Sequence, residues 1–400
     1  AAKGESAWVK GDGKRSIRDL INEEINTDPR RGDAEILPLS PVLFDTMLEL
    51  ELSRQNLTID AIPSIDQEVL VQRSGNMAFE VTHLMHPDVA EQVALAARVV
   101  GLDIAGVDLV AQDISRPLEE QGAAIVEVNA GPGLIMHLKP AVGEPQPVGA
   151  AIVEHLFPDG ANGRIPIVGV TGSRGKTMVA QMVTHLMQLT GLKVGLACSK
   201  GAFFNQRLQT AGNCANWTSA NRILLNRQVE AAVFENDSRT ILNEGLAYDR
   251  CTVGIVTSLD PNDTVPECAI IEPDHIYNVM RTQVDLVLPS GAAILNADDE
   301  AVAKMAELSD GEVIFISKYG QNETTQKHLQ QGGKAIFTEN EKIVLAHGMD
   351  KTVLTSISSI PVLQSSSKAH ALENVLASVG AAWALNIPKD IIVAGLQTYN

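Results

Sequence analysis

The sequence predicts an α/β chain in two parts. An α+β portion covers residues 1–160, and residues 161–400 form a domain on a mostly parallel, doubly wound sheet. Three observations carry this. The Pro, Gly and Asn cluster in "HLFPDGANGR" interrupts the apolar pattern near residue 160 and is the best boundary in the chain. After it, short Val/Ile-rich runs alternate with helical spacers, the rhythm of parallel strands covered on both faces. Finally, 400 residues with 45% hydrophobic side chains exceed one compact core and suffice for two.

In the first part, "SAWVK" reads as a strand already under way. Residues 17–26 have helical spacing, broken by Pro29 and Gly32, and a second helix is expected over 41–55. "EVLVQR" alternates as a strand does, and "RSGNMAFEVTH" after it reads as a loop. "HPDVAEQVALAARVVG" is a helix with Asp88 in its first turn and Gly101 past its end. "IAGVDLVAQD" and "AAIVEVNAGPG" are two strands joined by a polar loop. In the second part the strands are "IPIVGV", "KVGLAC", "AAVFEN", "CTVGIVTSL", "VDLVLP", "AAILNADD" and "EVIFIS", with helices from Thr177 and over 219–227. Both ends of the sequence look cut, "GLQTYN" following an amphipathic helical pattern.

Composition excludes several functions. A net charge of -18 makes nucleic acid a poor partner, because neutralising phosphates takes a concentrated basic surface. No apolar run approaches the roughly 20 residues that span a bilayer, so no membrane partner is expected and the chain reads as cytoplasmic. Cys198, Cys214, Cys251 and Cys268 fall at wide, unpatterned intervals, which fits reduced, buried thiols rather than a zinc site or disulfide framework.

"IPIVGVTGSRGKTMVAQMVTHLMQLTG" carries the strongest chemical signal. Met178, Met182, Leu186 and Leu189 share a stripe with Val179 and Val183 beside it, so a sheet-packed helix follows the loop directly. At such a junction, backbone amides and the positive end of the helix dipole point at the loop and can bind an anion. Gly172 and Gly175 let the backbone approach a phosphate, with Ser173 and Arg174 between them. Lys176 would reach the outer phosphates, and Thr177 would ligate Mg²⁺. The spelling is T-G-x-x-G-K-T, with Val170 where the eight-residue form has Gly. An ordinary glycine turn is the competing reading; strand before, helix after and Lys-Thr in register favour phosphate.

That shorter spelling resembles the loop of the Mur ligase family, whose members use ATP to activate a carboxylate as an acyl phosphate that an amine then attacks. "LPSGAAILNADDE" is similar to the family segment that contacts adenosine, which implies that role for Asn296, Asp298 and Asp299. "KAHALENVLASVGAAWALNI" resembles the helix ending the family's central domain, with His370 and Asn374 at positions near the nucleotide. Without the resemblance, "NADDE" is a polar turn and helix start, and His370 a cap or core residue. Glu235, at the end of "AAVFE", stands where such enzymes place a carboxylate on Mg²⁺; a solvated strand-end acid is the alternative. With Lys176 it is a candidate catalytic residue.

"VEVNAGPG" resembles the closing motif of ATP-grasp ligases. Glu127 and Asn129 are two apart on a strand and project from one face, and Asp108 on the neighbouring strand could join them as a second Mg²⁺ site. An exposed polar pair is the competing reading. Arg73 and Asn76 are the surviving candidates for phosphate or substrate contacts in this part.

An ATP-grasp end running straight into a Mur-like domain resembles the cyanophycin synthetase family. "GDGKRSIRDLI", "DPRRG", "GLDIAGVDLV", "VEVNAGPGLIMH", "LFPDGANGRIPIVGVTGSRGKT", "GLAYDRCTVGIV" and "AAILNADDE" fall in that family's order. The resemblance implies ATP and Mg²⁺ as cofactors, aspartate, arginine and a growing polymer chain end as partners, and a homo-oligomer. It also implies that residues 1–160 are the C-terminal part of an ATP-grasp domain. A small C-terminal domain would be missing, and the piece alone would then not turn over. Two departures stand out: Ile135 replaces an expected Arg, and "TSLDPNDT" offers Asp260 and Asp263 but no His for a second metal ligand. His275 reads as belonging to a helix start. A peptidoglycan-precursor or folylpolyglutamate ligase, or a degenerate nucleotide-binding scaffold, are the alternatives.

Overall fold

The computed structural model describes residues 1–32, 37–364 and 370–399, with backbone alone at 74–78 and 273. The chain divides into two compact units, 1–163 and 164–400.

The first unit holds two separate two-stranded antiparallel sheets. Strands β1 (Ala2–Lys10) and β2 (Glu68–Glu80) pair in one. Val9, Val69 and Val71 there pack on Ile17, Leu20 and Ile21 of the helix that follows β1, and on Leu48 and Leu52 of the helix Thr46–Arg54. Residues 68–80 form one continuous strand, so "RSGNMAFEVTH" is mainly strand rather than loop: β1 supplies a partner for its backbone along most of its length. Strands β3 (Gly106–Val110) and β4 (Ala124–Asn129) make the second ribbon. The helix Pro87–Val100 ends on Gly101, whose left-handed φ of 84° closes it.

The second unit is built on one eleven-stranded sheet. Its strands are β5 (Ile167–Thr171), β6 (Val194–Cys198), β7 (Gly201–Phe204), β8 (Arg207–Ala211), β9 (Ala231–Glu235), β10 (Cys251–Val256), β11 (Val287–Asn296), β12 (Glu312–Ser317), β13 (Lys334–Glu339), β14 (Lys342–His347) and β15 (Asp350–Ser356). Their spatial order is 15-14-13-12-11-10-5-9-6-7-8. Every neighbouring pair from β13 across to β6 is parallel, and the strands outside them are added antiparallel at both edges. The sheet is therefore mixed with a parallel centre. "VDLVLP" and "AAILNADD" are one strand, β11, whose register jumps between Val287 and Ala292. The helix expected over 219–227 lies at Trp217–Leu224, where Asn216 caps its first turn.

Continuous apolar runs make the central strands because both faces are covered. One face packs on the helices Lys176–Gln188, Ala371–Ala384 and Lys389–Thr398, through Val179, Met182, Leu186, Val375, Val379 and Ile392. The final helix runs through Thr398, so most of "GLQTYN" is helical. The other face packs on the helix Pro273–Asp285 and its neighbours through Ile276, Met280 and Val284. Leu189 leaves the expected stripe and is exposed just past its helix. His275 lies in the first turn of Pro273–Asp285, as expected. Cys198, Cys214 and Cys251 are free and buried, while Cys268 is half-buried. Among the described residues, no helix is long and apolar enough to cross a membrane.

Candidate active site

Strand order fixes where a ligand can bind. From β5 the chain passes over β9 to β6, returns to β9, and then crosses to β10 on the far side of β5. Crevices form at the carboxyl ends of parallel strands where the winding reverses in this way. Thr171, Glu235 and Val256 all end strands there.

The loop 172–175 opens the helix Lys176–Gln188 at that point. Gly175 is its N-cap at φ 83° and supplies no capping side chain, so the first-turn amides remain aimed at the loop. A Cβ on Gly175 would lie 2.0 Å from Asn374 Oδ1, and one on Gly172, at φ 129°, would lie 2.2 Å from Thr257 Oγ1. Both positions demand glycine on conformation and on space. The loop is clasped from outside: Ser173 N donates to Ser258 O at 2.9 Å, Asp260 N to Ser173 Oγ at 2.8 Å, and Arg174 Nη2 to Asp260 Oδ2 at 2.6 Å. The backbone amide of Asn262 and then Arg174 hold the Asp260 carboxyl below its ordinary range. Lys176 Nζ donates to Gly172 O at 2.7 Å, which keeps the ammonium over the loop.

Glu235 is buried, not a solvated strand end. Its Oε1 accepts from Thr177 Oγ1 at 2.9 Å and its Oε2 from Ser199 N at 2.8 Å, while Thr177 Oγ1 and Ser199 Oγ are 2.9 Å apart. Hard oxygen donors beside an anion-binding helix start suit Mg²⁺. Among the described residues no group of three His, Cys, Asp or Glu could hold a metal, so nucleotide oxygens and water would fill most of its shell, the usual arrangement for this ion.

A cavity of about 620 Å³ adjoins the loop, lined among others by Arg174, Ser258, Asn296, Asp298, Asp299, Lys318, Tyr319, His370 and Asn374. The structure thus brings together the residues expected near adenosine. Asp298 spends its carboxylate on Ser317 Oγ, Lys318 N and Asn322 Nδ2 at 2.6, 2.7 and 3.0 Å. Asp299 caps the helix Glu300–Lys304 and accepts from Leu259 N at 2.8 Å. Asn296 bonds Thr257 O and Asp298 N. These groups shape the cavity wall as well as facing it. Glu373 joins His370 Nδ1 at 2.8 Å to Lys318 Nζ at 2.7 Å, and raises the Lys318 pKa. Ser199, Thr257, Ser258, Lys318 and Glu373 escaped the sequence reading. Each follows a strand or opens a helix, but no local pattern marks it, since only the sheet order brings it to the loop. Asp263 does not line this cavity.

In the first unit, Asp108 and Glu127 face each other across the β3–β4 ribbon, both exposed, and Asn129 Nδ2 lies 3.5 Å from Asp108 Oδ2. The three expected ligands are therefore neighbours. Opposed like charges on a ribbon are destabilising until a cation bridges them, so the donor set fits a divalent ion. Arg73 lies elsewhere in this unit, on β2, where its guanidinium meets Glu51 at 2.6 and 2.9 Å. The side chain of Asn76 is outside the described residues.

Comparison with known proteins accords with this geometry. Cyanophycin synthetase of Nostoc sp. (strain PCC 7120) is 35% identical over 98% of this chain and 44% of its own. Cyanophycin synthetase of Synechocystis sp. (strain PCC 6803) is 33% identical over 98% and 45%. Glutathione biosynthesis bifunctional protein GshAB of Mannheimia succiniciproducens is 29% identical over 38% of this chain and 21% of its own. The chain thus spans less than half the length of the two synthetases. Residues 170–382, from the end of β5 to the helix Ala371–Ala384, match the family described as Mur ligase middle domain. With more than half of its length matched, and with the loop, Glu235 and the cavity inside the match, the chain belongs to the Mur ligase family.

Proposed function

We propose that this chain is part of an ATP-dependent amide ligase of the cyanophycin synthetase type, which extends an aspartate backbone and attaches arginine to its β-carboxylates. The observation that carries the reading is the junction of Lys176, Thr177 and Glu235 at an uncapped helix start, opening on a cavity large enough for a nucleoside. In the arginine step, the loop amides and Lys176 would hold the triphosphate, and Thr177 and Glu235 would hold Mg²⁺. The ion, when bound, would supply charge neutralisation to the triphosphate. The β-carboxylate attacks the γ-phosphorus, ADP leaves, and the α-amine of arginine displaces phosphate from the resulting acyl phosphate. Preorganised positive charge at the loop stabilises the electron density that develops in the first step.

Residues 1–160 are proposed as the end of an ATP-grasp domain that adds aspartate, with Asp108, Glu127 and Asn129 on its Mg²⁺. Support comes from the "VEVNAGPG" motif, the facing carboxylates and the GshAB relative. A cytoplasmic homo-oligomer is part of the same reading. In the intact protein, Lys176→Ala should remove arginine-dependent phosphate release and spare the aspartate-dependent release, whereas Glu127→Ala should do the reverse. Equal residual activity of both variants in both half-reactions contradicts the assignment. Turnover with diaminopimelate, lysine or glutamate in place of arginine would move the chain to another Mur-type ligase.

A further inference from the structure

Behind the phosphate loop, on the sheet face that packs on the helix Pro273–Asp285, lies a buried polar cluster that touches neither nucleotide nor metal in the reading above. Asn236 Nδ2 donates to Tyr248 Oη at 2.8 Å and to Gln283 Oε1 at 2.9 Å. Tyr248 Oη donates to the same Gln283 oxygen at 2.8 Å, and Gln283 Nε2 to Cys251 Sγ at 3.4 Å. All three residues are buried, Gln283 completely. Space for the cluster is reserved in the sequence: a Cβ on Gly169 would lie 2.2 Å from Tyr248 Oη and 2.4 Å from the Gln283 amide. The Tyr248 ring stacks on Phe234 with centroids 5.7 Å apart, and burial pushes its phenol far above the ordinary value, so it stays a donor.

The cluster is anchored to the site through Asn236. That residue directly follows Glu235, its N–H donates to Val170 O at 2.9 Å, and its carbonyl accepts from Thr171 Oγ1 at 2.9 Å, one residue before the loop. A core filled with apolar side chains would cover this sheet face equally well. Satisfied polar groups in low dielectric instead fix one geometry, because every displaced member leaves another unpaired.

We infer that Asn236, Tyr248 and Gln283 are positioning residues, which hold the end of β9 so that the Glu235 carboxylate stays in register with Thr177 for Mg²⁺. This rests on the proposed metal role of Glu235, and it assigns the buried trio a function in nucleotide binding. Partners that orient a metal ligand from behind typically change metal affinity about 10–100-fold when removed.

The test is ATP binding to the purified chain as a function of Mg²⁺ concentration. Tyr248→Phe keeps the stack on Phe234 and removes only the hydroxyl. The Mg²⁺ concentration for half-maximal binding should rise about tenfold, the lower end of that range, with metal-free ATP affinity unchanged. Gln283→Met, which deletes the polar head at similar length, should do the same and serves if the first variant folds poorly. Val284→Ala, buried on the same helix but outside the cluster, supplies the control for lost stability. It should lower the melting temperature and leave the Mg²⁺ midpoint in place. If Tyr248→Phe and Gln283→Met also lower only the melting temperature, the trio is mere packing and the inference fails. If the unmodified chain binds ATP without any Mg²⁺ dependence, the metal role of Glu235 fails as well, which the first outcome leaves intact.

Discussion

The two proposed metal sites use the same chemistry in opposite surroundings. At the loop, Thr177, Ser199 and Glu235 are locked to one another where three parallel strands end, within a sheet covered on both faces. On the β3–β4 ribbon, Asp108 and Glu127 are exposed, and among the described residues the three expected ligands approach one another through Asn129 Nδ2 alone, 3.5 Å from Asp108 Oδ2. The first arrangement is preorganised by the fold. The second depends on what binds to it. A motif can therefore be equally readable in two places and be built to different degrees.

Glycine substitutions should break the comparison most strongly. Gly175→Ala places a Cβ against Asn374 in left-handed backbone, a conformation that alone costs roughly 1–2 kcal/mol for a residue with a side chain. ATP binding should fall at least about 100-fold, by calorimetry, since loop contacts of this kind carry most of the affinity for the anion. Gly131→Ala, in the turn after β4, meets nothing within 4 Å and should leave the melting temperature nearly unchanged.

Charge removal sharpens it next. Glu235→Gln should reduce Mg²⁺-stimulated ATP binding by about 10-fold or more, the scale for an impaired metal ligand set. Glu127→Gln should instead raise the melting temperature of the metal-free chain slightly, by relieving repulsion with Asp108, and added salt should erase the gain. A lowered melting temperature would mean that the ribbon carboxylates are already paired.

The smallest effect concerns acid. Asp260 has its pKa depressed in the folded chain, so its contribution is present above the unfolded carboxylate value and is lost as pH falls through the folded one. The melting-temperature gap between wild type and Asp260→Asn should be open at pH 7 and close below about pH 4. A gap that persists in acid would show that Arg174 is held by something other than the Asp260 charge.

How much was legible follows from what each segment must satisfy. β5, β6 and β9 are buried throughout, and β10 and β12 over most of their length, and covering both faces requires runs such as "IPIVGV" that cannot be mistaken for surface. The strands toward the two margins of the sheet, β7, β8 and β13 to β15, went unread; β8 and β15 are its edges. β8 is wholly exposed and β15 largely so, which dilutes their apolar signal, whereas β13 and β14 are buried at their centres but carry only short apolar runs between polar ends. Asn340 and Glu341, both at positive φ between β13 and β14, are the turn signal that could have revealed that hairpin. Arg73, a candidate phosphate or substrate contact by resemblance, pairs in the structure with Glu51, twenty-two residues away, a partner that no local pattern announces. The loop residues could be read because their spacing is local; Ser199, Thr257, Lys318 and Glu373 could not, because only the strand order assembles them.

The most direct measurement is a crystal structure of the chain with Mg²⁺ and a non-hydrolysable ATP analogue. The account requires the β- and γ-phosphates against the amides of residues 172–177, with the ion between Thr177 Oγ1 and the Glu235 carboxylate. Phosphate density anywhere else, or an ion that contacts neither side chain, would contradict it.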